Sequence, residues 1–215
     1  MALLEVRGLT AGYGRARVLF GVSLDVGAGE VVMLAGRNGA GKSTTLKAIM
    51  GLIERAGETR FNGQRIEALE PFEIARLGLG YVPEDRRIFT DLTVAENLAV
   101  GRRPGREALP PWDEARLYAL FPNLATLRDR PGSRMTGGEQ KMLAIARTLM
   151  GNPLAILLDE PSEGLAPIVV RQMVLAIGEL KRAGLSVLLC EQNTRFAEGL
   201  VDRTYRIESG QLLHA

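Results

Sequence analysis

Residues Gly36-Arg37-Asn38-Gly39-Ala40-Gly41-Lys42-Ser43-Thr44 have the types and spacing G-x-x-x-x-G-K-[ST] of a phosphate-binding loop. The glycines allow the backbone of Arg37, Asn38, Gly39, Ala40 and Gly41 to curl, so that its N–H groups face a phosphate chain. A helix starting at the end of the loop adds the positive end of its dipole. Lys42 is long enough to reach the terminal phosphates, and the Ser43 hydroxyl suits Mg2+. The alternative is a chance glycine-rich turn. The context opposes it, because an apolar strand-like run precedes the loop and a helix-like run follows. The substrate expected from the loop alone is ATP or GTP.

Further on, Leu154-Ala155-Ile156-Leu157-Leu158 is an apolar run that ends in Asp159-Glu160. In phosphate-loop ATPases an Asp at this place supports Mg2+. Glu160 follows directly and is placed to orient or deprotonate an attacking water. A strand that merely ends in solvated acids is the alternative, and the phosphate loop weighs against it.

These residues need elements to hold them. Leu3–Leu9 and Val18–Val26 alternate as strands do, with Gly12-Tyr13-Gly14 as the turn expected between them. Val31–Ala35, Ala155–Leu158 and Ser186–Cys190 are short continuous apolar runs of the kind found in buried parallel strands. Helices are predicted over Lys42–Met50, Glu139–Met150 and Pro167–Ala183. Strands alternating with helices imply a mostly parallel sheet. The segment from about Leu92 to Arg134 is interrupted by Pro104, Pro110, Pro111, Pro122 and Pro131 and reads as a small inserted helical subdomain. The expected fold is α/β: a phosphate-loop NTPase core with a mostly parallel sheet, an N-terminal antiparallel β region and that inserted subdomain.

Composition narrows the class. The 215 residues carry a formal net charge of only +2, with 46% hydrophobic and 24% charged residues. No basic surface concentrates as in nucleic-acid binders, so no nucleic-acid partner is expected. The single cysteine, Cys190, excludes an intrachain disulfide and sits in an apolar run that favours a buried thiol. The N-terminus lacks signal-peptide regions, and no apolar run reaches the roughly 20 residues that span a bilayer. Work at a membrane would go through partners.

Thr136-Gly137-Gly138-Glu139-Gln140 carries a second signal. Thr136 with Glu139 three residues later is a capping box. It opens a helix with apolar Met142, Leu143, Ile145, Ala146, Leu149 and Met150 on a broad face. Two glycines at a helix N-terminus also suit a phosphate. This pentapeptide, upstream of the Asp159-Glu160 strand, resembles the signature of ABC ATPases, and with the phosphate loop the resemblance spans nearly the whole chain. It implies one ABC ATPase domain over 1–215, with a core of 1–91 and 151–215 and a helical subdomain of about 92–150 that includes the signature. It also implies a head-to-tail dimer, in which Thr136, Gly137, Gly138 and Glu139 close over the ATP γ-phosphate held by a second ATPase subunit.

Other roles come from the same resemblance. Tyr13 matches the aromatic that stacks on adenine. Tyr81-Val82-Pro83-Glu84 matches a segment that usually ends in Gln, a residue that approaches Mg2+ and the water and links the site to the membrane partner; here it is Glu84. Ser162-Glu163-Gly164-Leu165-Ala166-Pro167 has Ala166 where the family has Asp, which places a cross-dimer contact in question. The family's switch histidine is replaced by Gln192, which is capable of hydrogen bonding to a γ-phosphate but never becomes cationic. The chain's one histidine, His214, is expected to be an unstructured tail residue. The catalytic set implied is Glu160, Gln192 and Lys42, with Ser43, Glu84 and Asp159 holding Mg2+.

Tyr-Val-Pro-Glu, Ser-Glu-Gly-Leu-Ala-Pro and Cys-Glu-Gln-Asn together are similar to the ATP-binding subunits of branched-chain amino-acid importers, where Glu84 and Gln192 are regular features. Urea and amide importer ATPases are closely similar. A soluble non-transport ABC ATPase and a regulatory subunit that binds ATP without turnover are the readings from other classes. The importer reading implies transmembrane permease subunits, a second ATPase in a homo- or heterodimer and, indirectly, an extracytoplasmic solute-binding protein. Its location would be peripheral, on the cytoplasmic face of the cell membrane.

Overall fold

The computed structural model describes residues 2–106 and 109–213, so His214 lies outside the described residues. Two sheets share the work. The first is antiparallel, ordered β2-β1-β4-β5, with β1 Ala2–Tyr13, β2 Ala16–Gly27, β4 Arg55–Phe61 and β5 Gln64–Arg65. The second is ordered β10-β9-β3-β8-β7-β6, with β3 Val31–Ala35, β6 Leu79–Val82, β7 Ala155–Asp159, β8 Ser186–Glu191, β9 Arg203–Glu208 and β10 Gln211–Leu212. All its neighbours pair in parallel except β9 with β10.

The central strands are apolar throughout because both faces are covered. Val31, Met33 and Ala35 of β3 face one core with α6 (Gly137–Leu149) and α7 (Pro167–Arg182). Val32 and Leu34 face the other, built from α1 (Lys42–Ile49) and the antiparallel sheet through Leu4, Val6, Leu19 and Phe61. Cys190 lies fully buried in this second core, as its apolar neighbours predict, and burial pushes its thiol pKa well up.

Helix α2 (Pro71–Leu77) precedes β6, and between β6 and α6 the chain forms α3 (Val94–Gly101), α4 (Glu114–Leu120) and α5 (Pro122–Thr126). Their apolar faces, including Leu98, Leu117 and Leu124, join the core that holds α6. Proline at the first position of α5 is where a missing N–H costs nothing.

The N-terminal hairpin differs from the sequence reading. Gly12 and Tyr13 are still within β1, paired with Arg17 and Ala16, so the turn is Gly14-Arg15 rather than Gly12–Gly14. The strands run on because cross-strand pairing outweighs the local turn preference of a Gly-Tyr-Gly sequence. β7 likewise runs one residue past the apolar run, which makes Asp159 the last strand residue, paired with Cys190.

Candidate active site

The loop between β3 and α1 is shaped by its glycines. A Cβ on Gly36 would lie 2.5 Å from the Ile207 carbonyl oxygen of the neighbouring strand, so only glycine fits there. Gly41 caps α1 at φ 111°, the left-handed region open to glycine. Gly41 has no side chain to cap the helix, and the first turn of α1 has no acidic residue. The first intrahelical bond is donated by Thr45 to Gly41. The N–H groups of Lys42, Ser43 and Thr44 come before it and are available to an anion.

Lys42 is almost completely buried, at 4% exposure. Its Nζ donates to the carbonyl oxygens of Gly36 (2.8 Å) and Arg37 (3.0 Å) and lies 2.9 Å from Glu160 Oε1. The Ser43 hydroxyl donates to Asp159 Oδ1 at 2.8 Å, bridging the start of α1 and the end of β7. Tyr81 donates its hydroxyl to the other oxygen, Oδ2, at 3.3 Å. Burial pushes the Asp159 carboxyl up while the Ser43 bond pulls it down. Burial and the neighbouring carboxylate raise the Tyr81 phenol, which therefore stays a donor.

Glu160 follows β7 with φ 45°, a backbone region that costs a non-glycine residue energy and persists only where the surroundings impose it. Its N–H is bonded to the Cys190 carbonyl at 3.1 Å. This geometry turns the side chain from the strand end toward Lys42.

A cavity of about 370 Å3 lies over the loop. Asn38, Gly39, Gly41, Lys42, Ser43 and Thr44 of the loop line it together with Glu84, Glu160 and Glu163. The structure thus brings the phosphate loop, Glu84 and Glu160 to one space, with Asp159 joined through Ser43. Arg37 and Ala40 do not line the cavity; the Arg37 carbonyl accepts from Lys42 Nζ and from the Ala40 N–H within the loop. Tyr13 is 47% exposed at the end of the hairpin, outside the cavity wall to which that hairpin contributes Val18. Gln192 is exposed just after β8 and does not line the cavity either.

Thr136–Glu139 stand apart from this cavity at the start of α6. The predicted capping box is present: Thr136 Oγ1 accepts from the Glu139 N–H, and Glu139 Oε2 accepts from the Thr136 N–H at 2.7 Å. The first intrahelical bond runs from Gln140 to Thr136, so the N–H groups of Gly137 and Gly138 precede it. Gly138 packs so closely on α7 that a Cβ would come within 2.9 Å of Val169.

The Mg2+ reading passes a chemical test. Ser43 and Asp159 converge through hard oxygen atoms, and the Glu84 carboxylate shares the cavity. Among the described residues, no three His, Cys, Asp or Glu side chains gather as a self-sufficient metal cage. A sparse oxygen set completed by phosphates and water is how Mg2+ is ordinarily held.

Three side chains at the site escaped the sequence reading of roles. Lys141 is 2% exposed on α6, where burial lowers its ammonium pKa, and it donates to the carbonyls of Glu84 and Asp159, both at 3.2 Å. A signal was available: Lys141 lies four residues before Ile145 and eight before Leu149, on the buried stripe of the helix. Tyr81 carries the bond to Asp159 already described. Glu191 ends β8 almost fully buried and accepts the Ser162 N–H at 2.8 Å. Burial, with the adjacent Glu160 carboxyl, pushes Glu191 up to about 7 against that bond.

A parallel sheet whose central strand feeds a phosphate loop, with an Asp-Glu pair ending a nearby strand, defines a phosphate-loop ATPase. The ABC transporter family model matches residues 19–163, and the chain belongs to that family. It is an ATP-hydrolysing ABC transporter subunit. It is 43% identical over 202 residues to the high-affinity branched-chain amino acid transport ATP-binding protein BraG of Pseudomonas aeruginosa, covering 94% of this chain and 87% of that one. It is 37% identical over 216 residues to the lipopolysaccharide export system ATP-binding protein LptB of Escherichia coli K12, covering 99% and 90%. Among solved structures, a nucleotide-free ATP-binding cassette from an ABC transporter superposes with a TM-score of 0.84 at 28% identity, covering 100% of this chain and 90% of that one.

Proposed function

We propose that the chain is the ATPase subunit of an importer for branched-chain amino acids, working as a head-to-tail pair of cassettes beneath a permease. The 43% identity to BraG over 94% of the chain carries the choice of solute. The Ser43–Asp159 contact beside Glu160 supports the chemistry. ATP lays its phosphates along Gly36–Thr44, with Lys42 on the terminal phosphates and the adenine near Tyr13. Ser43, Asp159 and Glu84 would hold Mg2+, which would supply positive charge against the phosphates. Glu160 orients water and takes its proton, and Gln192 donates to the γ-phosphate. Thr136, Gly137, Gly138 and Glu139 offer the start of α6 to ATP on the second cassette.

A permease contact has a surface to use. Exposed Leu52, Phe72, Phe89 and Val100 line one groove of about 780 Å3. They share it with Arg76, Arg103, Arg106 and Arg147, and a mixed apolar and basic surface of this kind suits a protein partner. Tyr81 lines the same groove and bonds Asp159, which gives the groove a direct path to the metal site. Among the described residues no helix is long and apolar enough to cross a membrane, so attachment to the membrane face would rest on such contacts.

The 37% identity to LptB over 99% of the chain supports a second reading, an exporter motor. Deleting the gene and measuring uptake of labelled leucine, isoleucine and valine separates the two. The importer reading expects a large loss of uptake, restored by the wild-type chain but not by the Glu160→Gln variant. Undiminished uptake with a defect in an export process would favour the second reading.

A further inference from the structure

We infer that Lys141 is a positioning residue for hydrolysis: its buried ammonium clips the backbone beside Glu84 to the backbone of Asp159 and so sets the spacing of the two carboxylates across the metal site. The inference rests on the metal-site reading given above.

The geometry behind it begins with the β6–β7 ladder, which ends at the pair Val82–Leu158. Past that pair the Glu84 N–H, the next donor on that side, makes no bond to the Asp159 carbonyl, and the ladder stops. The two chains must diverge there, one toward Glu84 and the other toward Asp159 and Glu160. Lys141 Nζ replaces the missing strand-to-strand link, donating at 3.2 Å to the carbonyl of Glu84 and at 3.2 Å to that of Asp159.

The choice of a lysine is informative. Burying an ammonium among main-chain carbonyls is costly, and an apolar residue of the same length would fill the space on α6 without that cost. The charged groups that face Lys141 are Asp159, Glu84 and Glu191, with Arg86 opposing them. Its helix opens one turn earlier with Thr136–Glu139, so the same side chain ties the metal site of this cassette to the helix end offered to the second one. Disturbing it should affect turnover and metal use more than ATP capture, because Lys141 does not line the cavity over the phosphate loop.

The test compares wild type, Lys141→Met (same length, no donor) and Lys141→Gln (a neutral donor on a shorter stem). Steady-state ATP hydrolysis is measured against ATP and against Mg2+, with ATP-binding stoichiometry as a check on folding. Lys141→Met should lower kcat about tenfold, leave the KM for ATP within about twofold and raise the Mg2+ concentration for half-maximal rate severalfold. Lys141→Gln should fall between. A purely structural role would lower turnover and binding stoichiometry together, with the Mg2+ requirement unchanged, and that result overturns the inference. Wild-type turnover in both variants does so too. Asp159→Asn runs alongside: Mg2+-dependent hydrolysis surviving in it would sink the metal-site reading itself, whereas its loss with Lys141 variants unaffected would sink only the role of Lys141.

Discussion

Lys42 and Glu160 form a buried ion pair, Nζ to Oε1 at 2.9 Å, with side-chain exposures of 4% and 8%. The two residues come from the motifs expected to bind phosphate and to activate water, so the charge balance of the site is carried by the catalytic groups themselves. Removing one partner of such a pair leaves an uncompensated buried charge. Lys42→Met should therefore lose tight ATP binding and also lower unfolding stability by about 3 kcal/mol in chemical denaturation. Wild-type stability in this variant would mean that Glu160 finds other compensation.

Ser43 and Asp159 meet at 2.8 Å through atoms that suit Mg2+. Ser43→Ala and Asp159→Asn should each raise the Mg2+ needed for half-maximal hydrolysis, by at least about tenfold. Titration of activity with MgCl2 at saturating ATP reads this directly. An unchanged Mg2+ requirement in both would remove these residues from the metal site.

Glu191 makes a prediction about pH. Its carboxyl, with an ordinary value of 4.5, is raised to about 7 by burial and by Glu160. The folded chain therefore binds more protons than the unfolded chain between about pH 4.5 and 7, and this group's contribution to stability falls as pH rises through that window. The penalty is complete above pH 7. Glu191→Gln keeps an acceptor for the Ser162 N–H and removes the charge. It should be more stable than wild type at pH 8, by about 3 kcal/mol, and the advantage should vanish near pH 4. Urea unfolding across that range checks it; a difference independent of pH would contradict it.

Gln192 stands where the family has a cationic switch residue. An amide donates to a phosphate but adds no positive charge. Gln192→His should raise kcat severalfold below pH 7, where imidazole is protonated, with a smaller gain at higher pH. An equal or lower rate in the variant at pH 6.5 would count against a role for this position in hydrolysis.

What the sequence made legible was short-range. Gly36–Thr44 is contiguous, and the apolar runs of β3, β7 and β8 are bounded as their burial on both faces requires. Thr136 and Glu139 cap α6 as their spacing indicates. The rest depended on partners distant in the chain. β4 reads Arg-Ala-Gly-Glu-Thr-Arg-Phe, with no clear alternation, and is a strand because β1 pairs with it. Lys141 reads as one polar residue in a helix, and its contact with the Glu84 carbonyl spans 57 residues. The hydrogen bond of Tyr81 to Asp159 spans 78 residues and exists only because β6 and β7 are adjacent. The hairpin turn was displaced because Gly12 and Tyr13 satisfy a ladder that local preference does not reveal.

Glu160 is the residue on which the hydrolytic account turns, held at φ 45° with its carboxylate on Lys42. The most direct measurement is single-turnover ATP hydrolysis by Glu160→Gln, with ATP affinity determined on the same preparation. The account predicts ATP binding within severalfold of wild type and a rate reduced by at least about 100-fold. Hydrolysis near the wild-type rate, with ATP bound normally, would contradict it.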